Sequence, residues 1–192
     1  MIKKGMGKIW VVTIVFILII LMIGLATSFI FFKKPVKSSG NGGGTVIENP
    51  MKQIVIKNTN SAGEINQQAV IDEGIKEFNS EYINYILLAL GIGNLQKSII
   101  FGNPVVELTL DSQVWSSEIK NNALYTVLGA NDNSDLKITM SKQEAVKALL
   151  SSDIKQFMKD SVSNGNTKIE MIAGKPELLA KGYLDMYNKL KS

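Results

Sequence analysis

The chain contains no cysteine, no histidine and no arginine. Without cysteine there is no disulfide, no thiolate nucleophile and no Cys-ligated zinc. Without histidine the chain lacks the usual general base and the commonest metal ligand. Without arginine it lacks the planar fork that grips phosphate and guanine bidentately. All 21 basic residues are lysines.

Those lysines are unevenly placed. Residues 1–44 hold Lys3, Lys4, Lys8, Lys33, Lys34 and Lys37 and no acid, whereas the remaining 15 lysines face all 17 acids. The net charge of +4 is therefore a property of the N-terminal region. Its lysines flank an apolar run where they would meet anionic headgroups, and the basic balance is no argument for a nucleic-acid partner.

The run is residues 9–32, IWVVTIVFILIILMIGLATSFIFF, without a charge. At about 1.5 Å rise per residue it is long enough to cross the ~30 Å hydrocarbon core as a helix. Trp10 falls near one interface, and Phe29, Phe31 and Phe32 near the other. A cleaved signal peptide is the competing reading, but its apolar stretch is about 7–15 residues and is followed by small residues. Here Gly24, Ala26 and Ser28 are followed by Phe29 to Phe32. The expectation is an uncleaved single-pass anchor. With three lysines on each side the charge rule discriminates weakly; the short N-terminal tail favours an extracytoplasmic domain.

The expected organisation is a basic tail (1–8), a transmembrane helix (9–32), a flexible linker (33–64) and one α/β domain (65–192). The linker contains Pro35 and the low-complexity stretch SSGNGGG (38–44). Within it, MKQIVIK (51–57) reads as a short strand or a second tether.

In the domain, Ile65, Ala69, Ile75, Phe78, Tyr82, Ile86 and Leu90 recur at helical steps across 65–90, with slippage around Gly74. The stretch INYILLAL (83–90) is apolar on most sides and suits a buried helix. Strand patterns follow at 105–110 (VVELTL), 114–119 (VWSSEI), 123–128 (ALYTVL) and 136–140 (LKITM). Tight turns between them predict an antiparallel meander. Ser141 with Glu144 three residues on forms a capping box for a helix carrying Ala145, Val146, Leu149 and Leu150. A helical stretch at 152–162, a strand at 167–172 (TKIEMI) and a last helix beginning near Pro176 complete the domain. The fold class is α+β, a five-stranded mostly antiparallel sheet with helices on one face.

The segments VVELTLD (105–111), VWSSEIKNN (114–122), SDLKITMS (134–141) and GNTKIEMIAG (165–174), with the amphipathic C-terminal helix, resemble the sterol-carrier-protein family of non-specific lipid-transfer domains. The resemblance covers roughly 104–190. It implies a five-stranded sheet with helices over one face and an apolar tunnel between them that takes fatty-acyl chains, sterols or similar lipids. The helical stretch at 153–164 is longer than the connection many family members have there, and a membrane anchor is not part of the family core. The tunnel candidates are Ile86, Leu87, Leu90, Leu149, Leu150, Phe157, Met158, Leu179, Tyr183, Met186 and Tyr187. Such side chains on helix faces are equally what a filled core uses.

Catalytic patterns fail on inspection. Ser152 with Lys155 and Ser117 with Lys120 have S-x-x-K spacing, without the companion elements of that chemistry. Asn131 to Asp135 hints at a calcium loop, but Lys142 stands where the bidentate glutamate belongs. The expectation is a non-enzymatic, membrane-tethered lipid-binding module with no cofactor, no metal and no nucleic-acid partner. Its partners would be membrane lipid and an apolar ligand such as a fatty acid or isoprenoid. Two alternatives are an anchored adaptor for an unknown protein and a type IV pilin-like subunit. Lys3-Lys4-Gly5-Met6 resembles a prepilin leader, but Lys8 and Trp10 fit the pilin pattern poorly.

Overall fold

The structure, a computed structural model, describes residues 36–37, 46–121 and 123–191. The expected transmembrane helix at 9–32 lies outside the described residues. Among the described residues no helix is long and apolar enough to cross a membrane. Two short strands, β1 (Val36–Lys37) and β2 (Val46–Ile47), pair antiparallel. Helices α1 (Lys52–Lys57), α2 (Gln67–Lys76) and α3 (Ser80–Ala89) follow, then a 3-10 turn at Ile92–Asn94.

The main sheet comprises β3 (Val105–Leu110), β4 (Gln113–Lys120), β5 (Ala123–Leu128), β6 (Leu136–Met140) and β7 (Lys168–Met171), in the order β5-β4-β3-β6-β7. Between β6 and β7 lie α4 (Lys142–Leu150) and α5 (Ile154–Ser163); α6 (Lys175–Lys181) and α7 (Tyr183–Lys191) close the chain. The fold is α+β with a mixed sheet. β3, β4 and β5 form the expected meander. β6 does not extend it. It crosses to the far side of β3 and pairs there in parallel, Leu108 opposite Ile138, while β7 joins β6 antiparallel.

Period-two alternation sorts the sheet into two faces. Val106, Leu108, Leu110, Leu136, Ile138 and Met140 are buried in the main core. α3 covers this face at its meander end, where the Thr126 hydroxyl donates to Asn84 Oδ1 at 2.5 Å. Tyr82, Ile83, Tyr85, Ile86 and Leu87 of α3 are all buried, so its near-continuous apolar surface is an interior one. The opposite sheet face is polar and carries the Lys137–Glu107 and Lys168–Glu170 ion pairs, each at 2.9 Å.

Three local expectations change. MKQIVIK is neither strand nor tether but α1, with Met51 fully buried and Ile54 and Val55 nearly so. Ordered packing thus begins inside the span expected to be linker. The Asn49 side chain fixes the start: its oxygen accepts from Met51 N–H at 2.9 Å and its amide donates to the Leu149 carbonyl at 2.6 Å. The helix expected over 65–90 is two helices. Asn79 caps the second by accepting from Glu81 N–H at 2.8 Å, and Phe78 in the break packs edge-on against Tyr82, so the apolar periodicity runs through a real interruption. The last helix is also divided, at Gly182, whose φ of +89° suits glycine and closes α6.

Caps set the other helix starts. Asn66, Ser141 and Asp153 accept from Ala69, Glu144 and Gln156 N–H. The expected capping box is half realised. Glu144 does not reach back, because its carboxylate accepts the Ser161 hydroxyl at 2.6 Å, and Ser161 also bonds Thr167 at 2.7 Å. This ties α4 to α5 and to the start of β7. Gly74 lets α2 lie close to its neighbours: a Cβ there would come within 2.7 Å of Met51 Cε and 3.1 Å of Val146 Cγ1.

Candidate functional site

Among the described residues, an apolar groove and a polar pocket each combine space with chemistry. The first is an apolar groove where α1, α2, α4 and α5 meet, of about 370 Å³. Val55 comes from α1; Ile65 precedes α2, which supplies Val70, Ile71 and Gln67; Leu150 and Lys147 lie on α4, Ser151 just beyond it, and Phe157 on α5. The walls are aliphatic and aromatic, with Gln67, Lys147 and Ser151 the polar members. Its helices are held independently of any ligand. Asn49 joins the start of α1 to Leu149, Asn58 donates to Ile54 O at 2.9 Å and to Glu73 at 2.8 Å, and Lys57 pairs with Glu73. The close partners of Glu73, Lys57 first and Asn58 next, hold its carboxyl below the ordinary range.

The second place is a polar pocket of about 540 Å³ at one end of the sheet, whose lining includes Asn103, Glu118, Asn131, Asp132, Asp135 and Lys181. At its base is a buried ionic cluster. Lys181, at the end of α6, is 2% exposed, and its ammonium donates to Asp135 and Glu177 at 2.7 Å each. Asp135 also accepts from Val105 N–H at 2.7 Å and from the Tyr183 hydroxyl at 3.0 Å. Burial raises the Asp135 carboxyl above its ordinary value against the pull of Lys181, while the Lys181 hydrogen bond lowers that of Glu177. Burial, with Asp135 beside it, holds the Tyr183 phenol firmly protonated. With every member already paired, this arrangement clamps α6 and α7 to the entrances of β3 and β6.

The residues singled out from sequence divide among different environments. Ile86, Leu87, Leu90, Leu149, Met158, Tyr183 and Met186 are buried members of the main core. Leu150 and Phe157 line the helical groove. Leu179 is corrected to the surface at 65% exposed; its neighbour Leu178 is the buried one. Tyr187 is half-buried on α7. The groove residues Val55, Ile65, Val70 and Ile71 were missed. Val55 lay in the supposed linker, Ile65 was read only as part of a helix face, and Val70 and Ile71 fell outside the apolar stripe assigned to that helix. Lys181 was also missed, since only its distant partner Asp135 distinguishes it from a solvated lysine.

No family model and no curated protein matches the sequence. Among solved structures, two similar ones are sterol carrier protein 2 domains. One, from a ubiquinone synthesis protein (UbiJ), is 5% identical, covers 65% of this chain and 88% of its own, and has a TM-score of 0.32. The other, sterol carrier protein 2 like 2 from Aedes aegypti, is 18% identical, covers 53% of this chain and 90% of its own, and has a TM-score of 0.29. A stereoselective inverting sec-alkylsulfatase from Pseudomonas sp. is 12% identical over 67% of this chain, with a TM-score of 0.29; this chain spans only 17% of that enzyme's length.

Proposed function

We propose that the chain is a membrane-tethered, non-enzymatic module that takes a small apolar ligand, of the fatty-acid or isoprenoid class, into the groove between α1, α2, α4 and α5. The groove itself carries the proposal. Its ~370 Å³ falls within the range of small-ligand sites, and apolar walls with a few polar groups are what such sites have in common. Lys147 is exposed at the margin, suited to an acidic head group while Val70, Ile71 and Phe157 hold the tail. Tethering rests on the uncharged run 9–32 and its flanking lysines. The resemblance of 104–190 to lipid-transfer domains points the same way. The ligand's seat differs from the one that resemblance implies, lying between helices and not beneath the sheet.

The test is uptake of a fluorescent fatty acid by the full chain in lipid nanodiscs, measured against an Ile71→Trp variant that fills the groove. Ile71 is half-buried, so circular dichroism should show the fold intact. Saturable binding by the native chain, lost several-fold in the variant, is expected. Equal uptake by the two would assign the signal to the bilayer and end the proposal.

A further inference from the structure

We propose that the loop at residues 97–102 dips into the surface of a lipid bilayer, giving the domain a second membrane contact besides its tether. Ile99 is 101% exposed, Ile100 84% and Phe101 38%, three consecutive large apolar side chains turned to solvent. Runs of this kind on a folded surface mark contacts with a partner or a membrane.

The backbone of the loop favours the bilayer. Ser98 and Gly102 exchange both hydrogen bonds, Ser98 N–H to Gly102 O at 2.9 Å and Gly102 N–H to Ser98 O at 3.0 Å. The buried Ser98 hydroxyl oxygen accepts from Ile100 N–H at 3.3 Å and Phe101 N–H at 3.2 Å. Four amide groups of the tip are thus satisfied inside the loop. Each donor paired in this way lowers the cost of bringing the tip from water to the boundary between head groups and acyl chains. Gly102, at φ +77°, supplies the tight closure. Lys97 is exposed at the loop's base, placed to meet phosphate head groups while the three apolar tips go deeper. Of the carboxylates that line the polar pocket with Phe101, Glu118 is engaged by Asn103 at 2.8 Å and Lys120 at 2.7 Å, and Asp135 and Glu177 by Lys181 at 2.7 Å each.

The inference rests on the tethering reading for the nearness of a bilayer, so its test separates the two. The absence of cysteine from the chain allows a single reporter: Ile100→Cys, labelled with an environment-sensitive fluorophore, in the full chain reconstituted into phosphatidylcholine–phosphatidylglycerol vesicles. Lys155→Cys, at an exposed site on α5, is the control. Expected is a blue-shifted emission at position 100, quenched by lipid-borne doxyl groups several-fold more than at 155. Quenching by aqueous iodide equal to that at 155 would overturn the proposal. So would the same blue shift in lipid-free amphipol rising with protein concentration, which would make the loop a contact between copies. Retention on the vesicles after alkaline carbonate washing reports the tether separately. A retained chain with a water-exposed label sinks the loop alone, and a released chain whose label had been lipid-quenched sinks the tether alone.

Discussion

The Lys181 ammonium meets the Asp135 carboxylate at 2.7 Å across 46 positions of sequence, with both side chains all but sealed from water. Desolvating two charges offsets much of their attraction, so the pair's effect shows mainly when it is broken. Lys181→Met should cost about 3–5 kcal/mol, because it leaves Asp135 in the interior without its counter-charge. Tyr183→Phe removes one hydroxyl from the same carboxylate and should cost about 1–2 kcal/mol. Combining Lys181→Met with Asp135→Asn should recover part of the first loss. Urea unfolding of Lys181→Met, Asp135→Asn and the double measures the coupling. Strict additivity would mean that the two groups do not act as a pair.

Met51→Ala should destabilise the domain by about 2–5 kcal/mol, the cost of emptying a fully buried site. If residues 49–58 were a linker, the change would fall within about 0.5 kcal/mol, as exposed substitutions do. The urea midpoint of the variant separates these outcomes.

Stability should fall in acid. The carboxyls of Glu73, Glu118 and Glu177 are held below their ordinary value of 4.5, chiefly by hydrogen bonds from Lys57, Lys120 and Lys181. A depressed folded-state value means stability that is present above 4.5 and is lost as pH falls through the folded values. Asp135 is shifted upward and works the other way, so its protonation on acidification partly counters the loss. The urea midpoint should hold near neutrality and drop below about pH 4.5, and Glu177→Gln should flatten that drop. A midpoint that does not change on acidification would contradict this assignment.

Much of the sheet could be read from alternation alone, since Val106, Leu108 and Leu110 already define one face of β3. Alternation assigns a face but not a neighbour, and so the parallel pairing of β6 with β3 was not visible. Helical periodicity failed where the core bridges a break. Ile75, Phe78 and Tyr82 keep their spacing although the backbone bends at Asn79 to start a new helix. α1 was misread because Ile54, Val55 and Ile56 are three consecutive β-branched residues, a run that suits a strand as readily as a short helix. The groove draws on four helices, one of them in the supposed linker. Only Leu150 and Phe157 could be nominated without knowing which helices adjoin. Tyr183 was chosen for its apolar ring, whereas its hydroxyl, bonded to Asp135, decides its place.

The bond from Asn49 to the Leu149 carbonyl spans 100 positions. During vectorial synthesis the first helix of the domain leaves the ribosome long before its docking partner exists. The central β3–β6 pair imposes a similar delay, because a parallel neighbour can arrive only after the whole meander has been made. Such non-local closure slows folding relative to a bundle of locally packed helices. This helix, made before the rest of the helices and the main sheet, is thus among the last to be secured, and Met51, Ile54 and Val55 are the side chains a chaperone would find uncovered in the interval.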